Sequence, residues 1–227
     1  MIQTIIFDFD GLILETERPS YQSWLEVYQS FGHPLPFSTW EVIIGTTRGD
    51  FNPRQELQKL VNREIDWEEV EMGRQARENE LIEAGPILPG VLDYLQAARR
   101  LGMKIGLASN SSSRWVSGHL NRIGLLDYFD CLRTADDVQN LKPDPESYYS
   151  VLSGLGVKAD EAMALEDSPL GIRAAKAAGV FCVAVPNEMT QNLVLTQADY
   201  QLSSLTQMPL EDLLHRVDAL KTQRAAR

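Results

Sequence analysis

Cysteine and histidine are scarce in this 227-residue chain, which holds two of the first and three of the second. Cys131 and Cys182 each sit in an apolar, strand-like run (Phe129-Asp130-Cys131-Leu132 and Val180-Phe181-Cys182-Val183). That setting suits reduced, buried thiols rather than a disulfide framework and favours a cytoplasmic location. His33, His119 and His215 fall in no metal-ligand spacing and read as structural or surface residues. No hydrophobic run approaches the length of a membrane span, and no basic segment followed by an apolar one opens the chain, so neither a membrane nor a targeting signal is expected. Fixed-period repeats and low-complexity tracts are absent as well. Basic residues are outnumbered, 21 Lys and Arg against 32 Asp and Glu, for a net charge of −11. Such a surface repels a phosphate backbone or an anionic bilayer, so nucleic acid and lipid are excluded as expected partners and a cation is favoured. What remains, at 44% hydrophobic and 23% charged residues, is an ordinary soluble chain long enough for an α/β domain with an insertion, or for two small domains. Nothing in it requires more than a monomer.

Against that background the stretch Thr4-Ile5-Ile6-Phe7-Asp8-Phe9-Asp10-Gly11 stands out, because it sets two carboxylates and a glycine at the end of an apolar strand. Side chains alternate along a strand, so Asp8 and Asp10 are expected on one face, while Gly11 lets the backbone turn close to a ligand. Asp8 is then a candidate nucleophile, and Asp10 a candidate proton donor or metal neighbour. Alone, the pair is equally consistent with a solvated strand end.

The segment from Glu15 to about Ala84 reads as almost entirely helical. Tyr21, Trp24, Leu25, Tyr28 and Phe31 recur at helical spacing behind Pro19, and the pattern resumes near Ser38 to Ile44, Asn52 to Val61 and Asp66 to Ala84. From Gly85-Pro86 onward, helices alternate with short apolar strands at Lys104–Ser109, Asp130–Thr134, Ala162–Glu166 and Phe181–Val185. This alternation predicts an α/β fold with a doubly wound parallel sheet, a Rossmann-like core covered on both faces. A lone first strand cannot form a domain, so residues 1–14 and 85–227 are expected to make the catalytic core and residues 15–84 an inserted α-helical cap.

In such sheets ligands bind beyond the carboxyl ends of the strands. Ser109-Asn110 follows the second core strand and offers a hydroxyl and backbone N–H groups to a phosphate. Ser111 and Ser112 read instead as caps of the next helix. Lys142-Pro143 follows the third strand; a lysine is usually solvated, but an acidic crevice carrying a phosphoryl group needs a compensating positive charge. Glu166-Asp167 closes the fourth strand, ahead of a helix start at Ser168-Pro169. Asp8, Asp10, Glu166 and Asp167 together are costly unless a hard divalent ion joins them, and Mg2+ suits oxygen ligands and a phosphate best.

Asp8-Phe9-Asp10-Gly11-Leu12-Ile13, Ser109-Asn110, Lys142-Pro143 and Glu166-Asp167 resemble, in order and context, the four motifs of the haloacid dehalogenase superfamily. The helical insertion is similar to the cap of its beta-phosphoglucomutase-like subgroup. The resemblance implies that Asp8 forms an aspartyl-phosphate and that Asp10 is the general acid/base. It also implies that Ser109 and Lys142 hold the phosphoryl group, while Asp8, the Asp10 backbone carbonyl and Asp167 bind Mg2+ with Glu166 supporting through water. Substrate contacts are implied at Asn110, at Thr16 and Glu17 beside the cap junction, and at Gly45-Thr46-Thr47-Arg48. There Arg48 would grip a second anionic group, although an exposed arginine at a helix start is an equal alternative. Two departures stand against a mutase: Ser20 lies where beta-phosphoglucomutase carries histidine, and Ser112-Ser113 where it carries a Lys-Asn pair. Glu15 replaces a common Asp. The expected function is therefore Mg2+-dependent hydrolysis of a small phosphorylated metabolite such as a sugar phosphate. A sugar-phosphate mutase is the alternative, a non-enzymatic phospho-acceptor signalling module the alternative of another class, and a dehalogenase is disfavoured because its chemistry needs no Mg2+.

Overall fold

The computed structural model describes residues 1–41, 43–44 and 51–225. A six-stranded parallel sheet lies at its centre: β1 (Thr4–Phe7), β2 (Lys104–Ala108), β3 (Cys131–Arg133), β4 (Ala162–Glu166), β5 (Phe181–Ala184) and β6 (Tyr200–Gln201). The strand order is β3-β2-β1-β4-β5-β6. All pairings are parallel, with Thr4 opposite Lys104 on one side and Ala162 on the other. The order reverses at β1, which places the topological switch, where ligands of such sheets bind, between β1 and β4.

Alternation along the strands builds two apolar layers. Ile5, Phe7, Ile105, Leu107, Met163, Leu165, Phe181 and Val183 pack against α5 (Val91–Arg100), α6 (Ser113–Arg122) and α9 (Leu210–Ala225). Ile6, Ala164, Cys182 and Ala184 face the opposite way, toward α7 (Glu146–Leu155) and α8 (Pro169–Ala177). Burial on both faces is why β1, β4 and β5 are continuous apolar runs. Apart from Ile6, the positions toward α7 and α8 are small, so those helices seat close to the sheet. Cys131 and Cys182 are free and buried, as their surroundings predict.

Between β1 and α5 lie α1 (Glu17–Ser30), α2 (Phe37–Trp40), α3 (Pro53–Leu60) and α4 (Trp67–Ala84). Asn52 caps α3 through the Gln55 N–H, and Asp66 caps α4 through those of Glu68 and Glu69. These helices share a cluster of Trp24, Tyr28, Leu35, Trp40, Ile44, Leu57 and Ile65, joined by Met189 from beyond β5. Of the helix expected over Ser38–Ile44, the described residues show one turn, Phe37–Trp40. The strand ends at Ser109, Asp130, Thr134 and Val185 lie one residue outside the observed strands, and the two-residue β6 has no apolar signature.

Candidate active site

The site begins where β1 stops. The Asp8 N–H still reaches the Leu165 carbonyl at 3.1 Å, continuing the ladder to β4, and its carboxylate turns into the crevice at the switch. Glu166 and Asp167 arrive there from β4, and the three acids can bring oxygens within 4.8 Å of one another. Lys142 completes the group. Its Nζ donates to Asp8 Oδ1, Glu166 Oε1 and the Ala108 carbonyl, each at 2.7 Å. The lysine is 4% exposed, so these three acceptors replace its water. Asn110 sets its backbone: Oδ1 accepts from the Lys142 N–H at 2.8 Å, and Nδ2 donates to the Lys142 carbonyl at 3.2 Å.

Burial, with Glu166 adding repulsion that Lys142 only partly offsets, pushes the Asp8 carboxyl up to about 7. Asp167 is held well above the carboxylate range by burial first and by Asp8 and Glu166 after it. Burial disfavours the charge on Lys142, yet the two carboxylates outweigh it and raise the ammonium above its usual value. Three acids against one lysine leave this pocket short of positive charge.

Glu166 shows the shortage atom by atom. Its Oε1 takes hydrogen bonds from Lys142 and from the Tyr148 hydroxyl at 2.6 Å, while its fully buried Oε2 has no partner. An orphaned carboxylate oxygen beside two further acids is the donor set that a hard divalent cation takes. The residues present therefore fit a Mg2+-type ion. Two glycines make room for the acids. A Cβ on Gly11, whose φ is +77°, would lie 2.3 Å from Asp167 Oδ2, and one on Gly171 would lie 1.9 Å from Glu166 Oε2. Asn187 ties these parts together, with Nδ2 donating to the Gly11 carbonyl at 2.8 Å and to Asp167 Oδ2 at 3.0 Å.

The carboxylate of Asp10 belongs to a separate set of contacts. Its Oδ2 accepts from Ser111 Oγ at 2.6 Å and from Ser109 Oγ at 3.3 Å, and its Oδ1 from the Trp115 indole at 3.0 Å. Both groups open onto one cavity of about 320 Å³, whose walls also include Thr16, Glu17, Ser20, Ile43, Ile44, Glu78 and Thr190. Burial, with Asp10, Glu15 and Glu78 nearby, raises the Glu17 carboxyl to about 7.

The structure thus brings Asp8, Lys142, Glu166 and Asp167 into direct contact or near it, places Ser109 against Asp10, and sets Asn110, Thr16 and Glu17 on the cavity wall. Gly45, Thr46, Thr47 and Arg48 lie outside the described residues. Ser112 does cap α6, through the Trp115 N–H, and Ser168 caps α8. The cap reading is wrong for Ser111, whose hydroxyl is spent on Asp10. Trp24 lines no part of the cavity and stacks under Arg74 in the helical cluster. Sequence reasoning passed over Tyr148, Asn187 and Trp115. Tyr148 shares the buried face of α7 with Val151, Leu152 and Leu155, a position where a phenol must find an acceptor. Asn187 lies in the loop just after β5, and Trp115 in the first turn of α6, the helix that follows β2.

Residues 5–185 match the model of the haloacid dehalogenase-like hydrolase family. The chain belongs to that family. Among haloacid dehalogenase-like relatives, YhcW of Bacillus subtilis (strain 168), provisionally named a phosphatase, is 44% identical over 96% of this chain and 99% of its own length. Hexitol phosphatase B of Escherichia coli (strain K12) is 33% identical, covering 94% of this chain and 97% of its own. A crystal structure of CbbY from Rhodobacter sphaeroides in complex with phosphate superposes with a TM-score of 0.71 at 27% identity, covering 90% of this chain and 95% of that one.

Proposed function

We propose that the protein is a Mg2+-dependent phosphatase that hydrolyses a small phosphomonoester, such as a sugar phosphate, through an aspartyl-phosphate on Asp8. The reading rests on the Asp8–Lys142–Glu166–Asp167 cluster with its orphaned Glu166 oxygen, set at the floor of a cavity of about 320 Å³. The names of the hexitol phosphatase and of YhcW support it. A carboxylate oxygen of Asp8 attacks phosphorus while the bond to the leaving oxygen breaks, and Asp10 supplies the proton that oxygen takes up. Water then gives a proton to Asp10 and attacks the same phosphorus, the bond to Asp8 breaks, and inorganic phosphate leaves.

Lys142 stays charged throughout, because its acids hold its proton, and it balances the phosphoryl oxygens. Ser109 would orient the transferring group from the end of β2. Asp8, Asp167 and the Asp10 carbonyl would hold Mg2+, with Glu166 behind them, and the ion would neutralise charge gathering on the phosphoryl oxygens. Residues 15–84, as a cap, would exclude water during the first step. Ser20 on the cavity wall, in place of a histidine, supports hydrolysis over phosphate return to a sugar.

The test is phosphate release from sugar phosphates, glycerol phosphate, phosphoglycolate and nucleoside monophosphates, with Mg2+ and after exhaustive chelation. Turnover that needs the ion is expected. Full activity without any divalent metal, or no turnover across the panel, would refute the proposal.

A further inference from the structure

One indole is placed where it can set the aim of Asp10. Trp115 lies in the first turn of α6 and donates its Nε1–H to Asp10 Oδ1 at 3.0 Å, while Oδ2 takes the two serine hydroxyls. A serine hydroxyl rotates to suit its acceptor, whereas an indole N–H points along a direction fixed by the ring. Of the three donors, only Trp115 can impose a plane on the carboxylate. Its ring is itself fixed. Trp115 meets His119, one helical turn on, edge to face at 4.5 Å and 77°, and His119 stacks on Phe9 at 6.3 Å and 27°. Phe9 is fully buried and sits in the chain between Asp8 and Asp10. The indole is therefore braced against the very loop whose carboxylate it holds. It also lines both the 320 Å³ cavity and a neighbouring cleft of about 780 Å³ between α4 and α6, so the ring is part of the wall between them.

We propose that Trp115 is a positioning residue that fixes the orientation of the Asp10 carboxylate for both proton transfers. The proposal rests on the reading of Asp10 as the acid/base. Its physical content is that a group aligned to a few tenths of an ångström reacts faster than one free to turn, with substrate affinity untouched. Phe is the decisive replacement, because it keeps an aromatic ring in the wall, though a smaller one, and has no N–H to donate.

The experiment measures steady-state phosphate release by the full chain with Mg2+, using p-nitrophenyl phosphate and the best phosphomonoester of the panel. It compares wild type, Trp115→Phe, Asp10→Asn and the double variant. Trp115→Phe is expected to lower kcat about 10- to 100-fold, the range for one lost hydrogen bond to a charged group, with KM within about 2-fold and the melting temperature held. In the Asp10→Asn background the same change should cost less than about 2-fold, because its route of action is gone. Wild-type kcat in Trp115→Phe, or an equal loss in both backgrounds, would overturn the proposal. Should Trp115→Phe fail to fold, Trp115→Met fills the space without a donor and is judged by the same two criteria. Undiminished turnover by Asp10→Asn alone would instead sink the acid/base reading, so the two failures are told apart.

Discussion

Replacing Asp8 by Asn separates the chemistry of the site from its electrostatics. Asn keeps the size of the side chain and an oxygen that can accept from Lys142, now 2.7 Å from Asp8 Oδ1, while removing the nucleophile and one of the crowded charges. Phosphatase activity should vanish. Stability should rise, and in a pH-dependent way. The Asp8 carboxyl is pushed from 3.8 to about 7 in the fold, so between those values the native chain binds more protons than the unfolded one, and metal-free wild type loses stability as pH rises through that window. A displacement of about three units at about 1.36 kcal/mol each amounts to on the order of 4 kcal/mol once Asp8 is ionised. For a chain of this size, about 2–4 °C of melting temperature per kcal/mol gives a difference of about 8 °C or more. The assay is thermal melting of both proteins in chelator from pH 4.5 to 8.5. The Asp8→Asn advantage should be small at the acidic end and reach its plateau above pH 7, and added Mg2+ should favour wild type and close the gap. A melting difference independent of pH would refute the claim that Asp8 is ionised at a cost.

Three further outcomes follow from the same geometry. Asp10→Asn should slow phosphoenzyme hydrolysis by about 10²- to 10⁴-fold yet spare its formation from p-nitrophenyl phosphate, whose leaving group needs little protonation, so labelled phosphoenzyme should accumulate. Gly171→Ala drives a Cβ to within 1.9 Å of Glu166 Oε2 and should cost about 1–3 kcal/mol or more by melting, with weakened Mg2+ stabilisation. Gly118→Ala, in the middle of α6 with nothing within 4 Å of its Cβ, should be neutral or raise stability by up to about 1 kcal/mol, which makes it the control for glycine replacement.

Asp8 and Glu166-Asp167 were legible because they end apolar strands, and periodicity alone locates strand ends to within a residue. They needed only that rule and the parallel topology, whereas Lys142, well beyond the end of β3, was reached through the positive charge that an acidic phosphoryl site requires. Trp115, Asn187 and Tyr148 were not read, although Asn187 follows the end of β5, because Trp and Asn are not taken for reactive residues and their partners lie far off in sequence. Trp115 is 105 residues from Asp10, and Asn187 is 176 from Gly11. The roles of Trp115 and Tyr148 depend on which face of α6 and α7 turns toward the crevice, which is decided by packing. Ser111 failed for a related reason: a serine before a helix caps it by default, and only the neighbouring Ser112, by taking the cap, frees Ser111 for Asp10. The short β6 escaped because an edge strand of two residues, one half-buried and one exposed, has no periodicity to detect.

Floor and roof of the cavity come from different parts of the chain, and this bears on how one family serves different substrates. The floor is made by the ends of β1, β2 and β4 and by Lys142, whose contacts are fixed by strand register and burial. A change there disturbs the sheet and the buried acidic cluster at once. The roof is made by the start of α1, by Ile43 and Ile44, and by Glu78 of α4, outside the sheet. On the proposed function, substitutions at Glu17, Ser20 or Glu78 would alter what the leaving group meets without moving Asp8 or Lys142. Burial raises the Glu17 carboxyl in that roof to about 7, and on the proposed function this group would face the substrate, whereas Glu78 Oε2 is already paired with Arg74 Nη1 at 2.7 Å. A substrate hydroxyl would satisfy the Glu17 carboxyl, whereas a second phosphate facing it, once ionised, would need a compensating cation.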